Sequence, residues 1–152
     1  MLIHHFLSKQ LFKLHTQLNT DTVTLGNLPL CQVLLMNDSQ YPWLILVPRR
    51  EDVMEIYQLT HHQDRQQLEI ESNLISELLM THFNGDKFNV AALGNVVAQL
   101  HIHHVVRFKT DSAWPKPVWG TLPTIAYTDG ALNQRAHELT SLLKTQDIFS
   151  AC

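Results

Sequence analysis

Cysteine is scarce in this 152-residue chain. Cys31 lies inside an apolar run and Cys152 at the end, with no metal-ligand spacing between them, which excludes a disulfide framework and a cysteine-built metal site. Basic charge is scarce too: 11 Lys and Arg stand against 14 Asp and Glu, a net charge of −3 at pH 7. That balance offers no clustered cationic surface to neutralise a nucleic-acid backbone, so no nucleic-acid partner is expected. No apolar stretch approaches the ~20 residues of a membrane span. Residues 1–6 also lack the basic and long apolar regions of a secretory leader. A cytoplasmic protein without a membrane partner is therefore expected, and no repeat or low-complexity segment interrupts it.

What is present is 45% hydrophobic and 16% charged, enough apolar content for a core in a single domain over residues 1–152. Leucines at 7, 11, 14 and 18 have helical spacing and predict a short helix over residues 7–18, ended by the turn-type residues 19–22 and 26–29. Two nearly continuous apolar runs, 31–36 and 43–48, are joined by Asn37-Asp38-Ser39-Gln40-Tyr41-Pro42 and predict a hairpin covered on both faces. Arg49-Arg50-Glu51-Asp52 reads as a solvated loop. A long helix is predicted over 61–83, with Thr60 as N-cap, Leu68, Leu74, Ile75, Leu78 and Leu79 as its apolar face, and Asn84-Gly85-Asp86 as its stop. A strand is predicted over 87–93 and a last helix over 129–144 with Leu132, Ala136, Leu139 and Leu143 on one face. Prolines 115 and 117 and Gly120 keep residues 109–120 irregular, and Trp114 and Trp119 read as anchors of that loop or of a dimer interface.

The chemistry concentrates in residues 99–107, Gln-Leu-His-Ile-His-His-Val-Val-Arg. As a strand, this stretch puts Gln99, His101, His103 and Arg107 on one side and Leu100, Ile102, Val106 and Phe108 on the other. Two imidazoles, an amide and a guanidinium in one row are costly as packing but suited to a phosphate. A neutral imidazole carries a nucleophilic nitrogen beside a hydrogen-bond donor. His101, at the centre of the row, suits the nucleophile; His103 and Gln99 flank it as donors. Upstream, Gly94 allows a positive φ or a close backbone approach, and the Asn95 amide can donate to a phosphate oxygen. The other histidines, at 4, 5, 15, 61, 62, 82 and 137, have no partners at informative spacing and read as surface residues.

Residues 94–107 resemble the signature of the histidine triad (HIT) family, His-φ-His-φ-His-φ-φ with φ apolar. On that pattern His101 falls on the family's nucleophile and His103 on its last histidine; Gln99 stands at the first histidine and His104 at an apolar position. The resemblance implies an α+β fold, an antiparallel sheet with one long central helix and a C-terminal helix, with the family core over about 21–110. It also implies a homodimer, a nucleotide substrate and a nucleotidyl-histidine intermediate on the α-phosphate, with no cofactor. Asn95 then sits near the leaving-group side of the phosphate, and Asn37 or Asp38 at the ribose.

Two other readings are distinguishable. Gln99 can donate a hydrogen bond but cannot carry a proton, which is compatible with a nucleotide-binding or regulatory protein without turnover. A metal held by the His-x-His pair would need a further ligand soon after, whereas the next acidic residue is Asp111, beyond the strand, so no metal is expected.

Overall fold

In the computed structural model, which describes residues 11–152, six strands form one antiparallel sheet: β1 (Thr22–Asn27), β2 (Cys31–Met36), β3 (Trp43–Pro48), β4 (Lys87–Ala91), β5 (Ile102–Arg107) and β6 (Ser150–Ala151). Their spatial order is β4-β5-β3-β2-β1-β6. The predicted hairpin is present with its predicted bounds, β2 pairing with β3 from Cys31 opposite Pro48 to Leu35 opposite Leu44. All six residues of β3 are buried, as an uninterrupted apolar run requires when its strand lies mid-sheet with both faces covered.

The helices are α1 (Thr16–Asp21), α2 (His62–Phe83) and α3 (Asp129–Leu143). Both long ones lie on one face, α2 against β5 and β4 and α3 against β1. Leu68, Ile75 and Leu79 of α2 and Leu139 and Leu143 of α3 are buried there with Val33, Leu35, Leu44, Leu46, Ile102 and Val106 of the sheet. Each such aliphatic side chain contributes roughly 1.5–3 kcal/mol. The result is the α+β arrangement that the resemblance implies, an antiparallel sheet with a long helix and a C-terminal helix.

Two details of α2 depart from the sequence reading. His61, not Thr60, is the N-cap, and it makes no side-chain cap bond. Glu71, on the apolar stripe, is fully buried; its carboxylate accepts the backbone N–H of Leu30 at 2.7 Å and of Cys31 at 2.9 Å, and the Gln67 amide at 2.9 Å. A buried carboxylate is tolerable because its oxygens are paired, and here it ties the helix to the start of β2. At the other end Asn84 takes a left-handed conformation, φ 50°, which asparagine tolerates better than most residues. Gly85 follows, where a Cβ would collide with Val106.

Strand β1 is missing from the sequence reading, which took residues 19–22 and 26–29 as breaks. Its ladder to β2 carries a register shift between Thr24 and Gly26, and such a bulge destroys strict alternation. The helix predicted over 7–18 is corrected as well. Residues 7–10 lie outside the described part, 11–15 are irregular, and α1 begins at Thr16 under an N-cap from His15, whose Nδ1 accepts the Gln17 N–H at 3.1 Å. No helix among the described residues is long and apolar enough to cross a membrane.

The second face of the sheet is covered differently. Leu34, Trp43, Ile45, Val47 and Val105 are buried there beneath Leu18, Tyr41, Val97, Ala113 and Val118, with Phe12, Leu14 and Trp119 packed alongside. Apart from α1, this cover is irregular chain, and the two histidines of the row emerge under it.

Candidate active site

Alternation along β5 sorts its three chemical side chains. His104 points to the helix face, opposite in direction to His103 and Arg107. Its Nδ1–H donates to the Ile102 carbonyl at 3.0 Å, so its Nε2 carries the lone pair that accepts the Ser72 hydroxyl of α2 at 2.7 Å. Burial pushes the His104 pKa down to about 4. It is therefore a neutral, satisfied core residue at the position where the pattern has an apolar one.

His101, by contrast, is not in the strand. The last β5 residues with ladder partners are Ile102, opposite Leu46, and His103, opposite Ala91 and Ile45. The expectation of a continuous strand over 99–107 is corrected on this point. The Leu100 N–H leaves the sheet and donates to the Val53 carbonyl at 2.8 Å, so residues 99–101 are held by other partners. Gln99 does not stand in the row with its amide free. Its Oε1 accepts the His15 N–H at 2.8 Å and its Nε2 donates to the Lys13 carbonyl at 2.9 Å. His15, expected at the surface without a partner, is thus half-buried against it.

The main chain of Gln99 does reach the site. Its carbonyl lies 2.7 Å from His101 Nδ1. A carbonyl oxygen only accepts, so Nδ1 carries the proton and Nε2 presents a lone pair. His103 has the complementary tautomer: the Trp43 indole N–H, which can only donate, lies 3.0 Å from its Nδ1, leaving the proton on Nε2. Burial, aided by the neighbouring His101 and His104, pushes the His103 pKa down to about 3. The rings of His101 and His103 stand 5.0 Å apart, centroid to centroid, at 76°. One imidazole with a free lone pair thus sits beside another that is neutral and holds a donor.

Both rings line a pocket of about 260 Å³ whose other walls are residues 93–97 and Trp119. Asn95 is on this wall and exposed, and Gly94 before it has φ 69°, the left-handed conformation that glycine permits and the sequence reading anticipated. Trp119 closes the opposite side, its ring 5.4 Å from His103 and 6.0 Å from Trp43. The sequence points to Trp119 as an anchor of its loop or of a dimer interface, and does not point to Trp43 as a site residue at all. The only sequence signal for Trp43 is that it opens the apolar run of β3, and its register opposite Val105 was not legible.

The remaining candidates lie elsewhere. Arg107 shares the face of His103, yet its guanidinium is engaged: two bonds to Asp111 at 2.7 and 3.0 Å, one to Asn89 Oδ1 at 2.8 Å and one to the Lys116 carbonyl at 2.8 Å. It is 1% exposed, with Tyr41 and Trp114 within 5.8 and 5.6 Å of it. Expected to face a phosphate, this guanidinium instead spends its donors on the loop that follows β5, tying it to Asp111 and Lys116 on the way to Trp119. Asn37 and Asp38 follow Met36 at the Arg107 end of the sheet, since Leu35 is level with Leu44 and His104. Asn37 Oδ1 accepts the Tyr127 N–H at 3.0 Å, and the buried Asp38 accepts the Gln40 N–H at 3.0 Å. The structure does not bring either beside His101. Among the described residues, no three or more His, Cys, Asp or Glu side chains converge as a metal site needs.

Residues 17–110 match the model of the HIT domain. The chain is similar to the crystal structure of a histidine triad protein from Marinobacter aquaeolei VT8, with 50% identity and a TM-score of 0.84 over 89% of this chain and 98% of that one. It is also similar to a histidine triad protein from Bradyrhizobium japonicum, with 41% identity and a TM-score of 0.81 over 89% and 97%. The diadenosine triphosphate hydrolase of Plasmodium falciparum shares the fold at 13% identity, with a TM-score of 0.60 over 83% and 86%. No curated protein matches the sequence.

Proposed function

This chain belongs to the HIT family, and on that premise we propose that it is a nucleotide hydrolase or transferase that cleaves a phosphoanhydride or phosphoramidate bond at a nucleoside α-phosphate. Membership implies nucleotide-binding hydrolase or transferase chemistry at the level of the family; the bond and the intermediate are our reading. The observation that carries it is the pair of complementary tautomers, His101 Nδ1–H on the Gln99 carbonyl and His103 Nδ1 on the Trp43 indole, in one pocket.

The chemistry follows from the two free nitrogens. His101 Nε2 attacks the α-phosphorus, forming a P–N bond as the bond to the leaving group breaks and that group departs with the electron pair, an amine taking up a proton from solvent as it leaves. The His103 Nε2–H and the Asn95 amide are donors for the phosphoryl oxygens, whose charge grows in the transition state. Water then attacks the phosphorus and releases a proton to solvent, the P–N bond breaks with its electron pair returning to Nε2, and the nucleoside monophosphate leaves with His101 restored. Gln99 contributes through its carbonyl, which holds the His101 proton away from the attacking nitrogen. Asn37 or Asp38 as a ribose contact and Arg107 as a phosphate contact have weaker support, because each is bonded elsewhere. A homodimer is part of the proposal, supported by Val90, Leu93 and Val96, which are exposed on and just after the edge strand β4, and so is the cytoplasmic location expected from the sequence.

The test is intact-protein mass spectrometry after brief incubation with adenosine phosphoramidate or a diadenosine polyphosphate, with release of the monophosphate followed in parallel. An acid-labile adduct of one nucleoside monophosphate, absent in His101→Ala, is expected. A second reading, binding without turnover, is favoured by the glutamine at the first triad position, which cannot carry charge. It would be upheld if the monophosphate binds while neither adduct nor product forms.

A further inference from the structure

The three residues before β5 carry the nucleophile, yet among the described residues no sheet partner holds them. Their positions are set by three bonds from outside the ladder. Leu100 N–H goes to the Val53 carbonyl; Gln99 Oε1 takes the His15 N–H, and Gln99 Nε2 gives to the Lys13 carbonyl. The two amide bonds join positions 84 and 86 residues apart in sequence and imitate a strand bridge, donor and acceptor both satisfied. The carbonyl of that same residue, 2.7 Å from His101 Nδ1, is what leaves the attacking nitrogen of His101 with its lone pair. A rotation of the 99–100 peptide would remove the acceptor and release the imidazole to either tautomer.

We propose that Gln99 is a positioning residue: by clasping the backbone of Lys13 and His15 with its side chain, it fixes the carbonyl that orients and sets the tautomer of His101. The inference rests on the catalytic reading of His101 and deepens it. It gives the glutamine a task that histidine, with one donor and one acceptor on opposite sides of a ring, does not reproduce. It also makes the main chain of Lys13 and His15, through one carbonyl and one N–H, part of what holds His101 in place.

The test uses the full chain and two routes to the same bonds. Gln99→Met keeps length and removes both. His15→Pro removes the N–H from the other side, at a residue whose φ of −56° already suits proline. His15→Ala keeps that N–H and removes the imidazole that caps α1, so it controls for the lost cap. The readouts are the ¹⁵N shifts of the His101 ring and the split between kcat and KM. In the unaltered protein the His101 ring is expected to show one neutral tautomer, protonated at Nδ1. Gln99→Met and His15→Pro are expected to lose that pattern and to lower kcat about tenfold with KM within about twofold; the double variant is no worse than either alone, and His15→Ala keeps the single tautomer. An unchanged His101 pattern in Gln99→Met, or His15→Pro behaving as His15→Ala does, overturns the proposal. If the ring responds as expected in a protein that never turns over, the positioning stands and the catalytic reading falls.

Discussion

His104 offers a quantitative test of how the sheet is built, because it is a fully buried imidazole in an apolar layer. Its ordinary value of 6.5 falls to about 4 in the folded chain. Between those values the unfolded chain binds a proton that the folded chain refuses, so stability must fall as pH falls through this window; above about pH 7 the contribution is absent. For one such group the loss between pH 8 and pH 5 is about 2 kcal/mol. The perturbation is His104→Phe combined with Ser72→Ala, which leaves no orphaned hydroxyl on α2. At pH 8 the double variant should be less stable by about 1–3 kcal/mol, since the Ile102 carbonyl loses its donor. Its stability should then decline with acid less steeply than the parent's, the gap between the two closing by about 2 kcal/mol at pH 5. Urea unfolding followed by tryptophan fluorescence at pH 5, 6, 7 and 8 and constant ionic strength reads this directly, the other titrating groups cancelling between the two proteins. Parallel curves would mean that His104 accepts its proton inside the fold, and the argument from burial would be wrong.

Three further outcomes are expected. Trp43→Phe keeps the ring beside His103 but removes its donor, and should lower kcat about tenfold with little change in KM; unchanged turnover would show that the His103 tautomer is set elsewhere. Glu71→Gln replaces one accepting oxygen by an NH₂ that faces a backbone N–H of Leu30 or Cys31, and should cost about 1–3 kcal/mol in urea unfolding; a wild-type midpoint would mean the clamp between α2 and β2 is dispensable. Burial and the adjacent Glu71 hold the Cys31 thiol well above the usual thiol range, so an aromatic disulfide reagent should titrate only the exposed Cys152 in the native protein and Cys31 only after unfolding; rapid reaction of both thiols would contradict this.

The elements that could be read from the sequence were those whose side chains all answer to one force. The β2–β3 hairpin, α2 and α3 declare themselves by apolar spacing alone. Strand β1 did not, because Gly26 and the register shift beside it break the period, and Glu71 did not, because a charge on an apolar stripe has no local signal of the two amides waiting for it 40 residues away. The histidine row was legible as chemistry and misread as geometry. Alternation placed His103 and Arg107 correctly on one face, but pairing is a property of neighbouring strands, and nothing local says that the ladders end before His101. The same limit hid the destinations of Gln99 and Arg107. Both were read as free donors, since a sequence shows what a side chain can offer and not which acceptor reaches it first.

The bonds of Arg107 to Asp111 and Lys116 bear on how such a site can change over generations. They tie the strand that ends in Arg107 to the loop that carries Trp119, so the reactive imidazoles and the indole that roofs them are encoded in one short continuous run, 99–119. Exchanged between relatives as a block, that run would bring the Arg107 pairs with Asp111 and Lys116, but it would still need Trp43 and the backbone of Lys13, His15 and Val53 from its new host. Divided, it would leave a buried cation without its carboxylate, a penalty borne by the stability of the fold itself.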